Sequence, residues 1–209
     1  MGKALIAVIV IIVLLVFALV LFGQYVSVKN TLVTKNEQVK SSWSQVDIVL
    51  QRRADLIPNL VETVKGYAKQ EQTVFGDIAK ARSALLSAGT PQDKIAANGQ
   101  LDGAIGRLLL IVENYPQLKS NENFLRLQDE LAGTENRIAV ERKRYNDALQ
   151  DYNTYVQQFP NSIFAKWAGF KPNEAYFAAS EGAREVPKVN FSSPSTAAPP
   201  SAPQPAPAH

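Results

Sequence analysis

Charged residues interrupt the apolar stripes of this sequence, and these positions are where chemistry would most readily occur. Arg53, Glu71 and Glu141 each replace an apolar side chain in the repeating pattern. Asn36 and Thr134 interrupt it with neutral polar groups. Two carboxylates inside a helical bundle could bind a divalent metal or transfer protons. Glu71 and Glu141 are therefore the candidate residues for a metal-binding or enzymatic function.

The composition weighs against that function. The chain has no cysteine, which removes disulfides, thiolate catalysis and Cys-ligated zinc or iron–sulfur sites. Its single histidine, His209, is the last residue of a proline-rich end. A His-based triad or a Glu-x-x-His metal pair therefore cannot form in a folded interior. We interpret the interrupting charges as positions that fix helix register, and we predict no catalytic residue, cofactor or metal.

A second set of candidate residues surrounds the first proline of the chain. It contains two arginines, an aspartate, an apolar pair and the proline: Arg52, Arg53, Asp55, Leu56, Ile57 and Pro58. The proline predicts the start of a second helix, and the arginines would then complement the dipole at the end of the first. We interpret the set as a helix–helix corner. A kinked continuous helix and a partner-docking tip that uses Leu56 and Ile57 are the alternatives.

Residues 4–22 form an apolar run that predicts a membrane span. The run has nineteen residues without a charge or a hydrogen-bonding side chain, and sixteen of them are Leu, Ile, Val or Phe. This length fits the ~20 residues that cross a bilayer and exceeds the ~7–15 of a signal-peptide core. We predict that residues 1–24 are an uncleaved transmembrane anchor. Lys3 precedes the run and Lys29, Lys35 and Lys40 follow it, which weakly favours a cytoplasmic domain.

Residues 25–159 carry stripes with alternating steps of four and three residues, which predict packed helices. The stripes are divided near Pro58, Gly89-Thr90-Pro91, Pro116 and Pro160. Short connections imply antiparallel neighbours. The fold prediction is therefore all-α: one transmembrane helix, then an antiparallel up-down-up-down four-helix bundle with long first and fourth helices.

The end of the chain divides into an extension, residues 160–191, and a Pro/Ala-rich tail, residues 192–209. The tail has no charge or large apolar residue, which is typical of disorder. The extension carries four apolar residues beside Lys166 and Lys171: Ile163, Phe164, Trp167 and Phe170. These residues either contact the membrane interface or cap the open end of the bundle.

Several of these blocks together resemble the LemA family. They include Ser42-Trp43-Ser44-Gln45-Val46-Asp47, Arg52-Arg53-Ala54-Asp55-Leu56-Ile57-Pro58-Asn59-Leu60, Glu113-Asn114-Tyr115-Pro116, Gly133-Thr134-Glu135-Asn136-Arg137-Ile138, Tyr145-Asn146-Asp147, Gly169-Phe170-Lys171-Pro172 and Lys188-Val189-Asn190-Phe191. The resemblance covers roughly residues 25–191. It implies a bacterial membrane-anchored protein with a four-helix domain, and it implies no reaction.

These observations lead to two hypotheses for function. The first is a single-pass protein of the bacterial inner membrane that acts as a non-catalytic scaffold for other membrane or envelope proteins, alone or as a homo-oligomer. The second is a metal-binding or enzymatic bundle that uses Glu71 and Glu141. A net charge of +3 gives little reason to expect nucleic-acid binding.

Overall fold

A computed structural model describes residues 2–177 of the chain. Within these residues the regular structure is entirely helical, as the periodicity predicts. The helices are α1 (Gly2–Lys65), α2 (Gln72–Ser87), α3 (Pro91–Val112), α4 (Pro116–Lys119), α5 (Glu122–Gln157) and α6 (Asn161–Trp167). The predicted disordered tail, residues 192–209, lies outside the described residues, as does the end of the extension.

The predicted corner at Pro58 is wrong, because α1 is one helix of 64 residues that contains this proline. Ile57, Leu60 and Val64 are all buried and continue the stripe in the same phase across the proline. The burial of these side chains favours a helix that continues on the same axis, so the first helix ends at Lys65 instead.

The hydrogen bond that Pro58 cannot make has a substitute. A proline lacks the N–H that would donate to the carbonyl four residues earlier, here that of Ala54. The Nε of Arg82, on α2, donates to this carbonyl at 2.7 Å. Because Ala54 is fully buried, its carbonyl would otherwise lack a partner. Pro58 therefore frees a backbone acceptor, and α2 docks on it.

The other predicted breaks lie close to observed helix ends. Thr90 caps α3, because its side chain accepts a hydrogen bond from the N–H of Asp93, and Pro91 is the first helical residue. Asn121 caps α5 in the same way and accepts from the N–H of Phe124 at 3.1 Å. These local signals explain why the boundaries of α3 and α5 follow from the sequence.

The main helix pairs are α1 with α5 and α2 with α3. Contacts between α1 and α5 join rising residue numbers on one helix to falling numbers on the other: Lys35–Asp151, Trp43–Tyr145 and Arg53–Glu135. Tyr67, just after α1, contacts Asn121, just before α5, in the same sense. Near its start, α3 contacts α1 through the ion pair of Lys94 with Asp47. Near its end, α3 contacts α2 through the ion pair of Arg107 with Asp77. Thus α1 and α5 are antiparallel, and α2 and α3 join them beyond Asp47. A uniform four-helix bundle over residues 25–159 stays a prediction.

The core follows the predicted stripes. Its largest fully buried side chains come from α1, α2, α3, α4 and α5: Leu32, Leu50, Ile57, Leu60, Ile78, Leu101, Leu108, Leu118, Phe124, Ile138, Tyr145 and Leu149. At ~25 cal/mol per Å² of apolar surface, each such side chain contributes about 1.5–3 kcal/mol before entropy is counted. Burial of the apolar faces of these five helices is therefore the main source of stability.

The role assigned to Pro58 and Arg82 predicts that the two residues are energetically coupled. We expect Arg82→Met to lower the free energy of unfolding by about 1–3 kcal/mol, because it leaves the buried Ala54 carbonyl without a donor. In a Pro58→Ala background the same change should cost about 1 kcal/mol less, since the new N–H can donate to that carbonyl. Urea unfolding of the full chain in detergent micelles measures all four variants. Equal costs in both backgrounds would contradict the coupling.

Candidate functional site

Arg53 is the most deeply buried charged side chain among the described residues, with 7% of the side chain exposed. It lies on the apolar stripe of α1. Its Nη1 contacts Glu135 Oε2 on α5 at 2.8 Å and Asn98 Oδ1 on α3 at 3.2 Å. The same nitrogen forms an ion pair with Asp102, also on α3. One guanidinium group therefore joins α1, α3 and α5.

A second arginine makes this cluster electrically balanced. Arg142 of α5 lies 3.9 Å from an oxygen of Asp102 and 3.9 Å from an oxygen of Glu135. We call Arg53, Asp102, Glu135 and Arg142 the charge cluster. Because two cations face two carboxylates, the cluster holds charges in a partly buried place without a net charge.

The charge cluster is held by charge more than by well-directed hydrogen bonds. Within residues 2–177, four of its buried atoms lack a hydrogen bond of good geometry: Arg53 Nε, Asp102 Oδ1, Glu135 Oε2 and Arg142 Nε. Both carboxylates are partly exposed, so water can reach them. Such a group can fix the relative register of three helices, which is how we interpret it.

The remaining residues around Pro58 do not form a single site. Arg52, Asp55 and Pro58 are exposed on α1, and Leu56 is half-buried. Ile57 is only 1% exposed, so it offers no surface to a partner. A docking tip built on Leu56 and Ile57 together therefore does not match the structure.

The two candidate carboxylates do not share a site. Glu71 immediately precedes α2 and lies 3.5 Å from the hydroxyl of Tyr115, near the far end of α1. Glu141 pairs with Arg144 at 2.9 Å, nineteen residues or ~28 Å along α5 from its start. Among residues 2–177, no group of three or more Asp, Glu or His side chains could hold a metal ion. The metal-binding hypothesis therefore lacks a common site for these residues.

Asn146 and Asn153 of α5 bind a segment without regular secondary structure that the sequence pattern did not predict. We call residues 170–177 the C-terminal strap. Asn153 donates to the carbonyl of Asn173 at 2.7 Å and accepts from its N–H at 2.8 Å. Asn146 does the same with Phe177, at 2.9 and 3.0 Å. Each amide thus pairs with the strap backbone as a neighbouring strand would.

Aromatic and cationic groups complete the contact with the strap. The Phe177 ring stacks on Trp43 of α1 at 6.0 Å and meets Tyr145 of α5 edge-on at 5.9 Å. The Arg142 guanidinium lies 5.1 Å from the centre of the Phe177 ring, a cation–π distance. The strap therefore covers the seam between α1 and α5 and reaches the charge cluster.

A sequence signal for the strap site exists. Tyr145-Asn146 and Tyr152-Asn153 are the same dipeptide seven residues apart, which places both asparagines on one face of α5. The Tyr152 hydroxyl donates to the carbonyl of Lys171 at 2.9 Å. A heptad-spaced pair of polar residues beside a buried stripe thus indicates a bound segment of extended chain.

Tyr145 and Tyr152 differ in whether their hydroxyls have a hydrogen-bond partner. Burial raises the pKa of the Tyr145 phenol above its usual value of 10.0, and Tyr176 raises it further. Burial also raises the pKa of Tyr152. Among the described residues the Tyr145 hydroxyl has no hydrogen-bond partner, whereas that of Tyr152 has one.

The predicted membrane-interface residues divide between the core and the surface. Phe164 of α6 is buried and meets Tyr25 of α1 edge-on at 6.4 Å. Phe170 is half-buried against the core. Ile163 and Trp167 are exposed, Trp167 by 74%. The segment therefore packs on α1 through one side and leaves an apolar side uncovered.

The fold and these sites define a membrane-associated, all-helical protein with an apolar N-terminal helix. Both α1 and α3 are long and apolar enough to cross a membrane. Leu101, Ile105, Leu108 and Val112 of α3, however, are buried in the core, whereas the side chains of residues 5–22 are exposed. The chain matches the LemA family over residues 42–191, and it belongs to that family.

Curated relatives agree with this assignment. Magnetosome protein MamQ 2 of Paramagnetospirillum magneticum is 28% identical over 174 residues, covering 71% of this chain. MamQ of Magnetospirillum gryphiswaldense is 26% identical over 179 residues, covering 73% of this chain and 66% of the relative. Protein LemA of Metamycoplasma hominis is 25% identical over 158 residues, covering 75% and 72%. The chain spans 64% of the length of MamQ 2.

The adjacent arginines of α1 provide a matched test of the charge cluster. We expect Arg53→Met to lower the free energy of unfolding by about 3 kcal/mol, the lower end of the range for breaking a buried ion pair, because water reaches the carboxylates. Arg52→Met, an exposed control, should change it by less than about 0.5 kcal/mol. Urea unfolding of the full chain in detergent micelles distinguishes the two. Equal stabilities would show that the cluster does not hold the helices.

The tyrosine pair tests the strap site. We expect Tyr145→Phe to raise the free energy of unfolding by up to about 1 kcal/mol, because it removes a buried hydroxyl without a partner. Tyr152→Phe should lower it by about 1 kcal/mol, since the bond to the Lys171 carbonyl is lost. Urea unfolding of the full chain in detergent micelles measures both variants. A stability change of the same sign in both would contradict the different roles of the two hydroxyls.

The raised pKa values also predict how stability depends on pH. The folded-state pKa of each tyrosine lies above the unfolded value, so the unfolded chain ionises first as the pH rises past 10.0. This contribution to stability is fully present below that pH and is lost above it. Each Phe variant should therefore lose less stability than the wild type between neutral pH and the range above 10.

Proposed function

We propose that this protein is a single-pass, non-catalytic scaffold of the bacterial inner membrane that presents a helical surface to other membrane or envelope proteins. The observation that carries the proposal is the continuity of α1, which joins the apolar segment to the packed domain without a break. Residues 23–65 of α1, which we call the stalk, extend for ~65 Å at 1.5 Å per residue.

The stalk is stiffened along its length by its contacts. Its partner helix α5 contacts it from Lys35 to Arg53, and Tyr67, just beyond the stalk, contacts Asn121, just before α5. The strap covers the seam beside Trp43, and the charge cluster joins α3 to the same pair farther out. A column with such contacts holds its far end at a set distance from the membrane, which is what a scaffold requires.

The far end carries exposed apolar side chains. Leu110, near the end of α3, is 72% exposed, and Tyr67 and Leu125 are also exposed there. A single exposed leucine needs no explanation, but three near one end of a long column make that end the surface we expect a partner to contact. The partner in this proposal is another membrane or envelope protein, or a second copy of this chain.

A photo-crosslinking amino acid at Leu110 tests the proposal. The matched control is Ile48, which is also apolar, is 59% exposed and lies on the side of the stalk. In intact cells that express the full chain, we expect a discrete crosslinked product from position 110 and none from position 48. The reason is that only the far end contacts a partner. Leu110→Asp should abolish co-purification of that partner while Ile48→Asp leaves it unchanged.

Two outcomes of the crosslinking experiment would contradict the proposal. Equal products from both positions, or none from either, would remove the far end as a contact surface. The mass of the product decides between a second copy of this chain and a different protein.

A further inference from the structure

An apolar groove lies where α6 meets α1. Its volume is about 560 Å³, and six apolar or aromatic residues line it: Leu21, Phe22, Tyr25, Ile163, Phe164 and Trp167. Three come from α1 and three from α6. The groove is open on one side, where Ile163 and Trp167 are exposed.

The depth of the groove relative to the bilayer follows from helix geometry. Residues 4–22 span ~28 Å at 1.5 Å per residue, close to the ~30 Å of a hydrocarbon core. Leu21 and Phe22 therefore lie at the edge of the hydrocarbon when this segment crosses the membrane. Ile163 and Trp167 line the same groove, so α6 reaches the depth of this edge.

The groove is continuous with the surface that faces lipid. The side chains of residues 5–22 are exposed, and the groove begins at the last two of these residues, Leu21 and Phe22. No charged side chain lines it. Lys29, Lys166 and Lys171 are exposed nearby in the sequence, and cations with aromatic residues are typical of membrane interfaces.

We propose that the acyl chains of bilayer lipids fill this groove, so that α6 forms a second membrane contact beside the transmembrane segment. The inference rests on the membrane anchor of the proposed function. Trp167 lies at the level of the upper acyl chain, and Phe164 holds α6 in place by packing on Tyr25. The groove is therefore the place where the packed domain contacts lipid directly.

Tryptophan fluorescence tests the proposal, because the chain has two tryptophans in different places. Trp43 lies eighteen residues beyond Tyr25, or ~27 Å farther along α1, and serves as an internal control outside the membrane. The full chain is reconstituted into phosphatidylcholine vesicles with brominated or plain acyl chains. Wild type and Trp167→Phe are compared, and their difference reports Trp167 without any change to the core.

We expect brominated lipid to reduce the wild-type emission and to leave that of Trp167→Phe unchanged. Bromines near the headgroup end of the chain should quench more than bromines near the methyl end. Trp43→Phe, which keeps Trp167 alone, should lose a larger fraction of its emission than the wild type.

Flotation of the vesicles tests the membrane anchor separately from the contact between Trp167 and lipid. Protein that floats with the lipid but shows no quenching of Trp167 overturns the inference and leaves the anchor intact. Protein that does not float contradicts the anchor as well. Shielding of Trp167 from acrylamide without bromine quenching would assign the groove to a protein surface, a second copy included, and would also overturn the inference.

Discussion

Burial of one continuous stripe on α1 is the constraint on which the rest of the structure depends. A helix of 64 residues that carries an apolar seam beyond its first third needs a partner of similar length, and α5, with 36 residues, is the longest one the described chain offers. The antiparallel pairing of these helices positions α6 beside the apolar segment and the turn before α5 at the far end of α1. The short helices α2 and α3 then cover the seam where α5 alone leaves it open.

Several polar groups that enter this seam have specific partners, although the Tyr145 hydroxyl has none among residues 2–177. The Ala54 carbonyl that Pro58 frees accepts from Arg82, and Arg53 faces two carboxylates from different helices. Asn153 binds the backbone of the strap. An unpaired polar group in such a place would cost about 1–3 kcal/mol, so each pairing also excludes a shifted register of the helices. The members of the LemA family that share these residue types can be tested for the same pairings.

Much of the fold could be predicted from the sequence because its signals are local. The apolar run, the stripes and the breaks near Pro91 and Pro116 each act over a few residues, and the all-helical prediction is confirmed for residues 2–177. The end of α1 could not be located from Pro58, since the proline signal is local while the acceptor it frees is satisfied from α2. The phase of Ile57, Leu60 and Val64 across the proline was the better guide. The strap was missed because the repeated Tyr-Asn dipeptide of α5 does not identify the segment that it binds, and Asn146 bonds to a backbone thirty-one residues away.

Because α1 continues without a break from the apolar segment into the packed domain, any change in the tilt of that segment also tilts the stalk. Transmembrane helices are tilted by about 20° on average. Over a stalk of ~65 Å, a change in tilt of this size displaces the far end sideways by roughly 22 Å. In the membrane-spanning arrangement proposed above, the effect of bilayer thickness or of a neighbouring helix on residues 4–22 would thus be converted into a lateral movement at the end that carries Leu110.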